Sequence, residues 1–271
     1  MFAWYPLVRN RYAFSTRFGV STRPSRSGSS PISASSLLIS SCILLFYISI
    51  SLAAQSADAL YADRANIASA KRAAEMWRAD LSRDAKAFDA AWKLGRVGYW
   101  LGGHAPEAER RGFYEEGIEA GQKAIAAQPD RPEGHFWVAA NMGGLAESFG
   151  RRQGLKYRKT IKEELETVLR LEPAFMQGSA DRALGRWYFR VPGIMGGSNK
   201  KSEEHLRQSL QYNPNSSASH FFLAETLLDE DRKADARAEF QKVIDVAADP
   251  DWIPEDKDFK DKARAALAKI K

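Results

Sequence analysis

Residues 184–198 read Leu184-Gly185-Arg186-Trp187-Tyr188-Phe189-Arg190-Val191-Pro192-Gly193-Ile194-Met195-Gly196-Gly197-Ser198. An apolar helical run carries a small residue at 185 and aromatic residues at 187 and 188. It halts at Pro-Gly and restarts at Ser198, a residue type suited to the first cap of a new helix. Beyond it Ser202, Leu206 and Ser209 keep helical spacing up to Pro214. Weaker copies flank this stretch. Leu223-Ala224 is followed by Ala236, Phe240 and Val243 before Pro250. Leu94-Gly95 is followed by Gly117, Gly121 and Ala124 before Pro129, and Val138 by Ile161, Leu165 and Val168 before Pro173. The four prolines stand 44, 41 and 36 residues apart, a period that signals stacked helix pairs.

The tetratricopeptide pattern places Leu-Gly-x-x-Tyr on the first helix of each repeat and Ala-x-x-x-Phe on the second. From Leu223 to Ala236 the offset is 13, the consensus value; from Leu184 to Ser202 it is 18, a surplus of five that falls in Val191–Ser198. The first two repeats carry a surplus of about ten each. The expected fold is therefore all-α, a tetratricopeptide-like helical repeat stack of about four helix pairs with flanking helices, over residues 57–271. Small residues let paired helices approach, and Trp92, Trp100, Trp137, Trp187, Tyr188, Phe221, Phe222 and Phe240 fill the space between them. The pattern predicts one Ala-rich helix over 57–81, a second over 84–102 stopped by Gly102-Gly103, a third opened by Pro106, a fourth after Pro132, a fifth over 155–171 and a last near 256–270.

Composition narrows the function classes. Five of the six net positive charges belong to Arg9, Arg11, Arg17, Arg23 and Arg26, and residues 1–57 hold no acid. The repeat region is close to neutral, which argues against nucleic acid as a partner. The single cysteine, Cys42, falls in the leader, so the repeat region has no disulfide and no thiolate chemistry. His104, His135, His205 and His220 form no His-Glu-x-x-His, and His135 and His220 occupy equivalent repeat positions, which favours packing over metal binding. Neither a nucleophile elbow nor a dinucleotide fingerprint occurs, and the expectation is a non-enzymatic protein without cofactor or metal.

Residues 1–56 read as a basic leader with an apolar stretch, Leu37–Ala54, followed by small residues. This is the order of an export signal, with cleavage near Ser56, although the basic segment is overlong and its Arg/Ser content also fits an organellar presequence. The expected location is exported or periplasmic. The alternatives are an uncleaved anchor, which would be the chain's only link to a membrane, and a mitochondrial location.

Several strings go beyond a generic repeat: His135-Phe136-Trp137-Val138-Ala139-Ala140-Asn141-Met142-Gly143, the segment from Gly154-Leu155-Lys156 to Leu165, and Leu184-Gly185-Arg186-Trp187-Tyr188 with Pro192-Gly193, Gly196-Gly197-Ser198 and Lys201. Over roughly residues 85–270 the chain resembles the T-component (TatT) family of tripartite ATP-independent periplasmic (TRAP) transporters. The regulators of microtubule dynamics share much of that architecture. The first resemblance implies an exported scaffold that partners the substrate-binding subunit of a transporter and assembles with copies of itself. The second implies a mitochondrial or cytosolic adaptor. A third reading, a small organic-acid binding protein, rests on the arginines.

Arg182, Arg186 and Arg190 recur every fourth residue on one helix, and Arg96 takes the place in repeat one that Arg186 takes in repeat three. A cationic stripe in a concave groove would hold a carboxylate or an acidic peptide; paired with Asp181, Glu225 or Asp229 it would be structural. Asn141, placed mid-helix, serves either a buried hydrogen bond or a peptide backbone. Gly196, Gly197 and Ser198 open a helix where backbone amides could hold an anion or the loop tip could touch a partner.

Overall fold

The computed structural model describes residues 55–270. The expected leader, with Cys42 and almost all of the 1–56 segment, lies outside the described residues. Among them are eleven α-helices and no strand. These are α1 (Ala57–Ala62), α2 (Ile67–Arg83), α3 (Phe88–His104), α4 (Glu107–Ala127), α5 (Pro132–Phe149), α6 (Arg151–Leu171), α7 (Ser179–Arg190), α8 (Asn199–Tyr212), α9 (Ser217–Asp229), α10 (Lys233–Asp245) and α11 (Ile253–Leu267), with a 3-10 turn at Gly193–Met195. Four hairpins, α3/α4, α5/α6, α7/α8 and α9/α10, are the repeats, each packed on the next. Ala124, Val168 and Ser209, each five residues before its proline, are fully buried, as is Val243.

Three helix boundaries depart from expectation for physical reasons. The first helix is broken into α1 and α2 by a turn at 63–66, because Asn66 caps α2 by accepting the Ala68 N–H at 3.1 Å. That turn throws Arg64 inward. Gly102-Gly103 does not end α3; the helix runs on to His104. A Cβ at Gly102 would stand 2.6 Å from the Tyr114 ring, so the glycine is there to let α4 approach. Helix α6 also starts earlier than the pattern predicts, at Arg151, directly after Gly150 turns the chain at φ +86°.

One polar pair recurs at the hairpins of repeats two to four. His135 meets Glu164 at 2.5 Å, His205 meets Asp181 at 2.7 Å, and His220 meets Glu239 at 2.6 Å. The sequence separations are 29, 24 and 19. They fall in steps of five, matching the surplus residues of about ten, five and none counted from the repeat pattern. The inserted residues therefore lie within the hairpins and leave the pairing position intact, with acid and imidazole exchanged in repeat three. His135 and His220 each also reach the carbonyl oxygen of the turn proline before their helix, Pro129 at 2.9 Å and Pro214 at 2.8 Å. The hydrogen bond to Glu164 outweighs burial and raises the His135 imidazole above its ordinary range. At Glu239 burial pushes the carboxyl up, but hydrogen bonds from His220 and Lys242 prevail and hold it below its usual range.

Helix α11 lies across the side of the stack lined by the first helices of the repeats. Phe259 packs on Phe221 and Phe222 of α9 at 5.4 and 5.6 Å between ring centroids. Asp258 sits 3.2 Å from His104 at the end of α3. Glu255 takes both Nε and Nη2 of Arg64, at 2.6 Å each. The Arg64 guanidinium lies about 5 Å from the rings of Tyr61, Trp100 and Trp252. The first turn of the described chain and its last helix thus meet in one buried ion pair.

Candidate functional site

The arginine stripe does not line an open groove. Arg186 is fully buried: its Nε donates to Glu147 at 3.0 Å and its Nη1 to Glu225 at 2.7 Å. Glu225 stands in repeat four where Arg186 stands in repeat three, so the stripe changes sign and pairs with itself. Arg182 is also buried and faces α11, in a crevice with Trp252, Glu255 and Phe259. Burial pulls its guanidinium down to about 9, with Tyr99 opposing the shift, and the group stays charged at neutral pH. Arg96 lies 3.9 Å over the Tyr61 ring, with Asp58 at 3.4 Å; burial lowers its pKa as well. Burial also lowers the pKa of Lys262 on α11, and the charges acting on it come from Asp258, Glu225, Arg186 and Glu147. Of the two readings of the stripe, Arg186 takes the structural one, paired with Glu225, and Arg182 faces α11. Of the four arginines only Arg190, with 46% of its side chain exposed, keeps an open position, 3.5 Å from Glu147.

Asn141 serves packing. Its Nδ2 donates to Gly95 O at 2.9 Å and Trp137 O at 2.7 Å, tying α5 to α3. A Cβ at Gly117 would come within 2.3 Å of Asn141 Oδ1, so the residue is wedged between three helices and reaches no groove.

The Gly196, Gly197 and Ser198 amides are not free to form an anion nest, because they are engaged within the loop and at the end of α7. Gly196 N–H donates to Gly193 O at 3.0 Å, Gly197 N–H to Pro192 O at 3.2 Å and Ser198 N–H to Tyr188 O at 2.9 Å. Ser198 caps α8 as expected, its hydroxyl accepting from Lys201 N–H. Gly196 adopts φ +103°, and a Cβ at Gly197 would stand 1.7 Å from Val191 O. These constraints fold the loop tightly against α7 and push Ile194 outward, 94% exposed.

What the loop does build is one wall of a cleft of about 280 Å³ between α5, α6 and α7. Leu155, Ile161, Trp187, Val191, Pro192 and Met195 supply its apolar surface, and Glu147, Arg158, Arg186 and Arg190 its charges. It opens where the first helices of the stack separate: α3 packs on α5, and α7 on α9, but α5 and α7 touch at most marginally. Trp187 is fixed by donating its indole N–H to Arg158 O at 2.9 Å. Glu147 has 9% of its side chain exposed; Oε1 receives Arg186 and Arg190, while Oε2 is buried with no hydrogen-bond partner. The sequence reading passed over Glu147 and Arg158. The legible signal was the run from Arg151 to Lys162, which carries six cations and no acid.

The geometry agrees with what known proteins show. A thermophilic TPR protein of Thermus thermophilus has a similar structure, with a TM-score of 0.58 at 20% identity, covering 76% of this chain and 94% of that one. PilF of Pseudomonas aeruginosa aligns with a TM-score of 0.48 at 18% identity over 78% of this chain and 90% of its own. The first likeness establishes the tetratricopeptide-like fold. No curated protein sequence matches the chain. The sequence model of regulator of microtubule dynamics protein 1-3 matches residues 53–196, from before α1 through the 3-10 turn. With more than half its length matched, the chain belongs to the regulator of microtubule dynamics protein 1-3 family.

Proposed function

We propose that this protein is a non-enzymatic adaptor that presents a rigid helical-repeat surface to protein partners, and that it acts on microtubules as its family's name describes. The observation that carries the reading is the family match across residues 53–196. The side-chain chemistry supports it: the buried acids, histidines and arginines are engaged between helices, as in His135–Glu164, Arg186–Glu225 and Arg64–Glu255. Under this reading the apolar stretch Leu37–Ala54 is an uncleaved anchor that holds the repeats at a membrane surface. Co-sedimentation of the full chain with stabilised microtubules tests the proposal. The protein is expected to pellet with the polymer and to alter its growth rate; failure of both would sink the microtubule reading.

A second reading, the exported T-component that partners a transporter's substrate-binding subunit, is favoured by the Leu184–Ser198 element and by the small residues that follow the apolar stretch. Amino-terminal sequencing of the mature protein separates the two. A start near Ala57 supports export, and a start ahead of Leu37 removes it.

A further inference from the structure

The first half of α6 carries positive charge that works against its own helix. From Arg151 to Lys162 the sequence holds six cations and no acid. Arg152, Lys156 and Lys159 are exposed and stand three or four residues apart, on one helix face. The half-buried Arg158 and Lys162 repeat that spacing beside them. Cations at these spacings repel one another and weaken a helix. The first turn adds to the cost, because it holds Arg152 and no acid, whereas α4 opens with Glu107 and Glu109 and α5 with Glu133. A helix start disfavours positive charge. Among the described residues no acid pairs with Arg152, Lys156 or Arg158. Relief comes only further along, where Lys159 reaches Glu163 at 3.5 Å and Lys162 reaches Glu166 at 3.3 Å. On the same face Leu155 lies three residues after Arg152 and four before Lys159, and it is 51% exposed.

We propose that this exposed face of α6 is the partner-docking surface, and that it takes a glutamate-rich, extended segment of a partner protein whose carboxylates supply the acids the helix lacks and whose one apolar residue covers Leu155. Repulsion among the cations is relieved when negative charge arrives, so charge complementarity selects an anionic partner. The rest of the helix selects a peptide over an anionic lipid surface. The stripe through Arg152, Lys156 and Lys159 continues at helical spacing into Glu163 and Glu166, both exposed. A flat bilayer lying along α6 would meet those carboxylates and be repelled, and Leu155 alone offers it little apolar area. A peptide covering only the first half of the helix meets cations throughout. The inference rests on the adaptor reading for its kind of partner, a protein, and gives the microtubule contact a place and a chemistry.

The test is fluorescence polarisation of the full chain with a short fluorescein-labelled peptide of glutamates around a central leucine. Saturable binding that weakens with added salt is expected, and its absence overturns the proposal. The triple variant Arg152→Gln, Lys156→Gln, Lys159→Gln should bind about tenfold more weakly. Its melting temperature should not fall, because the substitutions remove repulsion rather than contacts; a marked fall would show that the cations serve the fold. Lys86→Gln with Lys123→Gln and Lys200→Gln changes the net charge equally at exposed positions elsewhere and should bind as the unmodified chain does. Equal losses in the two triple variants reduce the effect to net charge and overturn the site. Leu155→Ser should cost about threefold, and an unchanged affinity removes Leu155 from the contact. The competing arm is the water-soluble dihexanoyl phosphatidylserine at the same charge concentration as unlabelled peptide. Displacement of the labelled peptide by the lipid as readily as by the unlabelled peptide overturns the proposal in favour of a membrane surface. Microtubule pelleting that survives in the Arg152 triple variant, with peptide binding lost, leaves the adaptor reading standing and removes the α6 face as its contact. Peptide binding without any pelleting keeps the face and removes the microtubule reading.

Discussion

The joint between repeats one and two and the joint between repeats two and three solve the same packing problem in opposite ways. At the first, α4 and α5 approach through glycines: a Cβ at Gly134 would lie 2.9 Å from Ile125 N, and one at Gly121 2.7 Å from a Val138 methyl carbon. Backbone meets backbone or side chain directly, and Asn141 is the polar group threaded through. At the second, α5 and α7 stand apart and the space is spanned by Arg186 reaching Glu147. A dry joint of small residues leaves nothing for a ligand. A joint bridged by long charged side chains leaves a cleft and a buried oxygen without a donor. In a stack whose first helices are crossed by its own last helix, the loosest joint is the one held by ion pairs.

That contrast can be broken from either side. The largest effect belongs to the bridged joint. Arg186→Ala strands Glu147 and Glu225 and should cost about 3–5 kcal/mol in chemical denaturation. Adding Glu147→Gln and Glu225→Gln should recover most of that loss, because the penalty comes from charges left unpaired rather than from attraction lost. At the glycine joint Gly134→Ala should cost about 1–3 kcal/mol, since the new methyl meets the backbone nitrogen of Ile125, which cannot rotate away. Equal melting curves for Gly134→Ala and the unmodified protein would show that the close approach is not needed.

Smaller effects probe the hairpins on either side of the bridged joint. The His135 pKa is raised in the folded state by Glu164. Its contribution is therefore fully present below the unfolded value of about 6.5 and is lost as the pH rises through the folded value. Denaturation midpoints of the unmodified protein and His135→Gln should differ at pH 5.5 and converge towards pH 9. A gap that widens with pH would reverse the sign and refute the pair. Smallest of all, Ser198→Ala removes the cap of α8 and should cost about 1 kcal/mol, loosening the loop that forms the cleft wall. Hydrogen exchange at Lys201, the donor to that cap, reads the effect directly.

How much was legible followed from range. The helix pairs, the surplus residues in repeat three and the cap at Ser198 are matters of local spacing, and they can be read along the chain. The repeating His–acid pair could also have been read, because its separations of 29, 24 and 19 track the surplus, but the exchange of acid and imidazole in repeat three hid it. Gly102-Gly103 misled because glycine favours a helix stop by its own propensity, whereas here Tyr114 of the next helix needs the space. The arginine stripe was legible in part: pairing with Glu225 was one of its two readings and is what Arg186 does, while Glu147 went unnamed. Periodicity places Arg182, Arg186 and Arg190 on one helix face, but it does not say what stands opposite, and residues 39 positions away on either side proved to be the partners of Arg186.

The amino-acid sequence by itself determined an all-helical repeat stack, its period and the position of its irregular loop, because those depend on side-chain size and turn chemistry within a few tens of residues. Only the tertiary structure decided that α11 covers the concave side, through Glu255 meeting Arg64 at a separation of 191 residues, and that α5 and α7 part to leave a cleft. Both depend on how small angular steps accumulate along a stack, and no local pattern records that sum.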